Sequence, residues 1–200
     1  MSVETNAERW FENLTNKETL QFHLSFLALF ISMYESFTEK VLSDVESMLC
    51  DLNTATLKNN KLKFTPSEQY REQIINRKID DHGNKNALKA TMLWFVELQA
   101  ITSDEYDKFL VFKEKRNKYV HEMSNFLLEG LDEKDAHLLM SMFDLFCKID
   151  KWWINEIEIP IAGECSPGEY DEEAVQSVLL LSYKMMLNTL YRNDTTESDQ

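Results

Sequence analysis

The sequence predicts an all-α protein, an antiparallel bundle of about six helices, and three observations lead there. Apolar residues recur at three- and four-residue steps over most of the chain, the spacing that lines one face of a helix. The 200 residues hold only 4 Gly and 3 Pro, too few for the many turns of an all-β fold. Several apolar stretches are preceded by Thr followed three residues later by Glu, the capping-box signature of a helix start. The length suits one domain, here expected over residues 1–192, with a core of useful size.

Thr5-Asn-Ala-Glu8 opens a first short helix, with Trp10, Phe11 and Leu14 on one face. Thr15-Asn-Lys-Glu18 opens a long second helix running to about Leu49. Its Phe22–Tyr34 centre is apolar on nearly every side, which predicts burial all round, inside a bundle or across a dimer interface. That run is shorter than the roughly 20 residues of a membrane span. His23 within it is expected as a core imidazole. Asn53 to Phe64 is polar and reads as a loop. Thr65-Pro-Ser-Glu68 then starts a helix, with Tyr70, Ile74, Ile75 and Ile79 inward. Asp80-Asp-His-Gly-Asn84 breaks it; His82 there reads as turn chemistry rather than metal ligation. A further helix covers Ala87 to Ala100.

Thr102-Ser-Asp-Glu105 caps the next helix, expected to bend or restart near His121 and to stop at Gly130. Asp132 caps another, from Asp135 to about Ile157, with His137 in its first turn. Residues 159–169 read as a connector. Beyond it an appended helix is expected from Asp171 to Tyr191, then a polar, disordered tail at 193–200. Cys50, Cys147 and Cys165 have no metal-type spacing and read as reduced thiols, Cys147 in the core. No basic segment followed by an apolar one opens the chain, so a cytoplasmic protein is expected.

The net charge is −14, which taken whole argues against nucleic acid. Its distribution argues otherwise. Lys58 to Lys118 holds 13 Lys/Arg against 9 Asp/Glu, while the rest of the chain holds 8 against 26. The basic stretch ends in Lys113-Glu-Lys-Arg-Asn-Lys-Tyr-Val-His121. Along the apolar line Phe109, Phe112, Arg116, Tyr119, Met123, Leu127, Arg116 stands where a plain core would have Leu or Ile. A buried charge needs a partner, a cleft or an interface. Asn117 and His121 are four apart and share a face.

Arg116-Asn117-x-x-x-His121 resembles the motif of the HEPN superfamily, small all-α domains whose nuclease members carry Arg, a polar residue and then His. Arg116, Asn117 and His121 match residue for residue; the resemblance covers about twenty residues and is architectural elsewhere. One branch has a Tyr two residues after the His as a target for nucleotidylation. Met123 stands there in this chain, so that control is not implied.

The resemblance implies a HEPN-like bundle and a metal-independent endoribonuclease of toxin or phage-defence type, without a cofactor. In it Arg116, Asn117 and His121 are catalytic, and Glu35 supports the site from an early helix. The charge distribution adds Lys113, Lys115 and Lys118, either as a phosphate-facing patch that holds RNA or as a solvated helix face. The resemblance also implies a homodimer, so that two Arg/His sets line one cleft, and an antitoxin or other protein partner. A non-catalytic HEPN-like module that binds a nucleotide or a protein is the alternative. A third reading is an unrelated helical protein in which Arg116 pairs with an interior carboxylate such as Glu35.

Overall fold

The computed structural model describes residues 3–59, 61–163 and 170–192. The fold is all-α apart from one small hairpin. Helix α1 (Val3–Thr15) passes to α2 (Lys17–Leu49) through Asn16 alone. Thr15 Oγ1 donates back to the Phe11 carbonyl, and Asn16 Oδ1 accepts from the Thr19 N–H, so one helix closes as the next opens. The hairpin β1 (Thr56–Lys58) and β2 (Lys61–Lys63) follows, then α3 (Glu68–Tyr70), which runs into a π-helical turn at Arg71–Ile75. Next come α4 (Ala87–Glu97), α5 (Ser103–His121), α6 (Met123–Glu129), α7 (Glu133–Trp153), α8 (Ile159–Ala162) and α9 (Val178–Leu190). No described helix is long and apolar enough to cross a membrane.

The chain divides into two compact units, one of Met1–Tyr34 with Leu110–Gln200 and one of Glu35–Phe109. In the first, α1 lies against α6, where Asn13 Nδ2 donates to the Leu128 carbonyl at 2.7 Å. The core is aromatic: Phe26 and Phe30 of α2 stand edge-on to Tyr119 of α5, which in turn meets Phe126 of α6. From α7 come Leu139, Met142 and Phe146, all fully buried. Helix α9 docks through Leu180, Tyr183 and Leu187, and Tyr183 Oη donates to the Ser32 carbonyl at 2.9 Å. In the second unit, Val41, Val45, Ile74, Met92 and Phe95 are buried. Trp94 Nε1 donates to Gln73 Oε1 at 3.1 Å, and Arg77 forks onto the Glu97 carboxylate at 2.9 and 2.7 Å.

Several elements depart from expectation for local reasons. Helix α1 starts at Val3, so Thr5 lies within it, and Trp10, Phe11 and Leu14 are exposed. The Phe22–Tyr34 run is not covered all round. Phe26, Leu27, Phe30 and Met33 are buried, but Phe22, Leu24, Ser25, Ala28 and Ser32 face outward. The polar 53–64 segment carries the hairpin. Ser67, not Thr65, caps α3, and the helical turns end at Ile75, leaving Ile75 exposed and Ile79 half-buried. The 159–169 connector begins as helix instead. Pro160 has no N–H to give the Glu156 carbonyl, and a π-helical turn at Ile154–Glu158 spans the gap, with the Ile159 N–H reaching the Ile154 carbonyl. Helix α9 starts at Val178 because Ser177 caps it, its side chain accepting from the Leu180 N–H while its own N–H meets Asp150 Oδ2. Cys165 and the 193–200 tail lie outside the described residues.

His23 is buried in the first unit as expected, and this makes stability depend on pH. Its imidazole lies against Gly130, where a Cβ would come within 3.5 Å of the ring; φ there is +84°, so glycine suits the backbone as well. Burial holds the His23 pKa below its ordinary value. The unfolded chain then binds a proton that the folded chain refuses. Stability is full above about pH 6.5 and is lost as pH falls from there toward the lower native pKa. Melting temperature is expected to drop between neutral and mildly acidic pH, and His23→Leu should remove much of that drop. A wild-type melting temperature flat over the range would mean that the imidazole is not held neutral.

Candidate functional site

Helix α5 carries the motif, and its two ends are built by short-range chemistry. At the start, the Glu105 N–H meets Thr102 Oγ1 at 3.2 Å while Glu105 Oε2 accepts the Thr102 N–H at 2.7 Å, the expected reciprocal box. Asp104 and Glu105 occupy the first turn and Lys118 and His121 the last, the order that favours the helix dipole. At His121 the helix stops, Glu122 turns the chain, and α6 runs to Gly130, as the sequence predicts.

Phe109, Phe112 and Tyr119 are fully buried, and Arg116 lies half-buried on the same stripe. Arg116 Nη1 donates to Asn117 Oδ1 at 3.2 Å. His121 is exposed at the last position of the helix, with the exposed Lys118 near it in the same turn. Lys113 and Asn117 are half-buried, and with His121 they recur every four residues. Arg116 and His121, five residues apart, point about 140° away from one another around the helix. In one chain the two catalytic candidates therefore share a helix end but not a face.

The three candidate lysines divide. Lys115 pairs with the Asp135 carboxylate, and its ammonium lies 5.0 Å above the rings of both Tyr119 and Phe126. Asp135 also accepts from Tyr119 Oη at 2.8 Å and from the Asp132 N–H at 3.1 Å. Burial pushes the Asp135 carboxyl up, but the Lys115 ammonium, the Asp132 N–H and the Tyr119 hydroxyl together bring it below the ordinary carboxylate range. Burial first, and the Asp135 carboxylate second, raise the Tyr119 phenol. Lys115 is thus engaged in tying α5 to the start of α7, while Lys113 is half-buried and Lys118 exposed. Glu35 is exposed on α2 and falls in the other unit from Arg116.

Two features escaped the sequence reading. Asp135 was visible only as a residue at a helix start, although Asp132 and Asp135 form a box of their own. The other is an apolar groove of about 760 Å³ between α2 and α9, lined by Phe22, Ser25, Ala28, Leu29, Met185 and Met186 among others. None of the motif residues lines it. His82 and His137 are exposed, His137 3.5 Å from Glu133. The Cys147 thiol is half-buried, and burial pushes its pKa up to about 11. Among the described residues no three His, Cys, Asp or Glu side chains gather as a metal site requires. No family model, curated protein or solved structure matches the chain.

Proposed function

We propose that this chain is a HEPN-type endoribonuclease of toxin or phage-defence type, cutting RNA without a metal ion. The observation that supports it most is the end of α5, where the Arg116–Asn117 pair, an exposed His121 and Lys118 fall within little more than one helical turn. RNA carries its own nucleophile, the 2′-hydroxyl beside the scissile phosphate. His121 takes that proton or returns one to the leaving 5′-oxygen, roles open to an imidazole near neutral pH. Arg116 holds the non-bridging oxygens with its planar fork as charge builds on phosphorus, and Asn117 orients the guanidinium.

One chain offers one imidazole and a guanidinium on another face, so the reading includes a homodimer in which two sets meet across a cleft. The exposed apolar side chains of α9, with Met185 71% exposed, support a surface that pairs with something. The same groove also favours the second reading, a non-catalytic module that acts by binding a protein partner. The experiment that separates them is cleavage of a structured RNA by the wild type and by His121→Ala, in the presence of a chelator, with sedimentation of the same preparations. The proposal expects a dimer that cleaves with chelator present and a His121→Ala dimer that does not. Folded protein without cleavage would favour the module, and equal cleavage by both proteins would remove His121 from the site.

A further inference from the structure

Helix α9 is apolar on two sides but docked on one. Leu180, Tyr183 and Leu187 are buried, while Val178, Leu181 and Met185 are exposed, Val178 at 78%. At 3.6 residues per turn the two sets point roughly opposite ways. A helix laid on a surface needs only the first stripe, and one that is apolar all round is expected to be covered all round. Lys184 is the single charged residue of its 13, in a chain where 28% of residues are charged. Beside it, residues 19–34 of α2 include no Asp, Glu, Lys or Arg.

The two helices form a fixed groove. The Ser32 and Tyr183 hydroxyls lie 2.9 Å apart, Tyr183 Oη donates to the Ser32 carbonyl, and Phe22 meets Tyr191 edge-on. Ser25, Ala28 and Ser32 recur on one face of α2, and their small side chains leave the groove of about 760 Å³ open beside Met185. The same face thus holds a protruding, adaptable thioether and a hollow for one. A two-fold contact needs both, since each copy must present both halves of it.

We propose that the α2–α9 face is where two copies of this chain meet about a two-fold axis, Met185 of each copy seated in the other's groove by Ser25 and Ala28. Charge selects the occupant. At net −14 two copies repel one another over most of their surface, so a stable contact falls on a face free of acidic residues. Among the described residues Glu18 is the single charged one lining the groove. Depletion of charge is also what marks the centre of a protein interface. An anionic membrane finds no Lys or Arg in the groove to hold its headgroups. A basic protein would be drawn to the acidic faces instead. Neither Arg116 nor His121 lines the groove, so the contact does not depend on their chemistry.

The test is sedimentation equilibrium of the full chain over a micromolar concentration series. The wild type is expected to be a dimer. Met185→Glu puts a carboxylate into the other copy's hollow and should raise the dissociation constant roughly 30-fold or more, as loss of a central anchor does. Ala28→Lys should do the same from the other side. An equimolar mixture of the two variants should associate again, because the new charges meet across the contact. Both positions are exposed, so circular dichroism should show each variant as helical as wild type. Val178→Glu, on the same stripe, takes the place of Met185→Glu if that chain does not fold. Val111→Glu, at an exposed apolar position on α5, should leave the dimer intact. A monomeric wild type, free or on phosphatidylcholine vesicles, a dimer that Met185→Glu and Ala28→Lys leave unchanged, or one that Val111→Glu breaks instead would each overturn the proposal. Cleavage is read separately: a dimer that does not cut RNA keeps this contact and sinks the ribonuclease reading, and a cleaving monomer does the reverse.

Discussion

Arg116→Lys is expected to lower RNA cleavage by roughly 100- to 1000-fold, about 2.7–4 kcal/mol of transition-state stabilisation, while leaving the melting temperature unchanged. The substitution keeps the charge and most of the length. What it loses is the planar fork that can grip two phosphate oxygens at once. The residue is half-buried, with Nη1 on Asn117 Oδ1. Arg116→Ala goes further and also removes a long aliphatic stem from the buried stripe of α5. The measurement is a pair of cleavage rates beside a pair of melting curves, for both variants and the wild type. Cleavage that merely follows the folded fraction in each variant would make Arg116 a strut, and the nuclease reading would fall with it.

How much of this was legible in the sequence follows from the range of the interactions involved. The box at Thr102 and Glu105, the stop at His121 and Gly130, and the cap at Asp132 all act within about four residues, and each was readable in advance. The half-buried place of Arg116 was legible too, from the 109-112-116-119 spacing. Periodicity tells which residues are apolar, not how many neighbours cover them. The outward turn of Phe22 and Leu24 on α2 was therefore hidden, as was the exposure of Val178, Leu181 and Met185 on α9. The hairpin was hidden for another reason. Strands of three residues rich in Lys and Thr give no alternating apolar signal, and only an Asn pair hints at the turn.

The least legible feature was the partner of Lys115. In sequence it is one of four cations in six residues, and nothing distinguishes it from Lys113 or Lys118. The carboxylate that claims it lies twenty residues on, at the third position of α7. The aromatic neighbours that make the spot expensive for an unpaired charge, Tyr119 and Phe126, come from two different helices. Such a pairing is fixed only when α5, α6 and α7 come together.

That pairing yields the largest stability effect expected in the first unit. Asp135 is 4% exposed and accepts from Lys115, from Tyr119 Oη and from the Asp132 N–H. Asp135→Ala leaves an ammonium above two aromatic rings, a buried phenol without an acceptor, and an open helix start. Breaking a buried pair in this way costs about 3–5 kcal/mol. The Lys115 side chain keeps 25% of its exposure, so water relieves part of the cost and the lower end of that range is expected. Tyr119→Phe removes one hydrogen bond to a charged group and should cost less, about 1.5–3 kcal/mol. Because the native Asp135 pKa is lowered, its contribution is present above about pH 4 and is lost as pH falls below that. A double-mutant cycle of Lys115→Met and Asp135→Asn, read by denaturant unfolding at neutral and at acidic pH, isolates the pair. Strong coupling at neutral pH that fades in acid is the expected result, with cleavage per folded molecule unchanged in every variant. Coupling near zero at both pH values would mean that Lys115 is solvated, and would return it to the set of cations available to a phosphate.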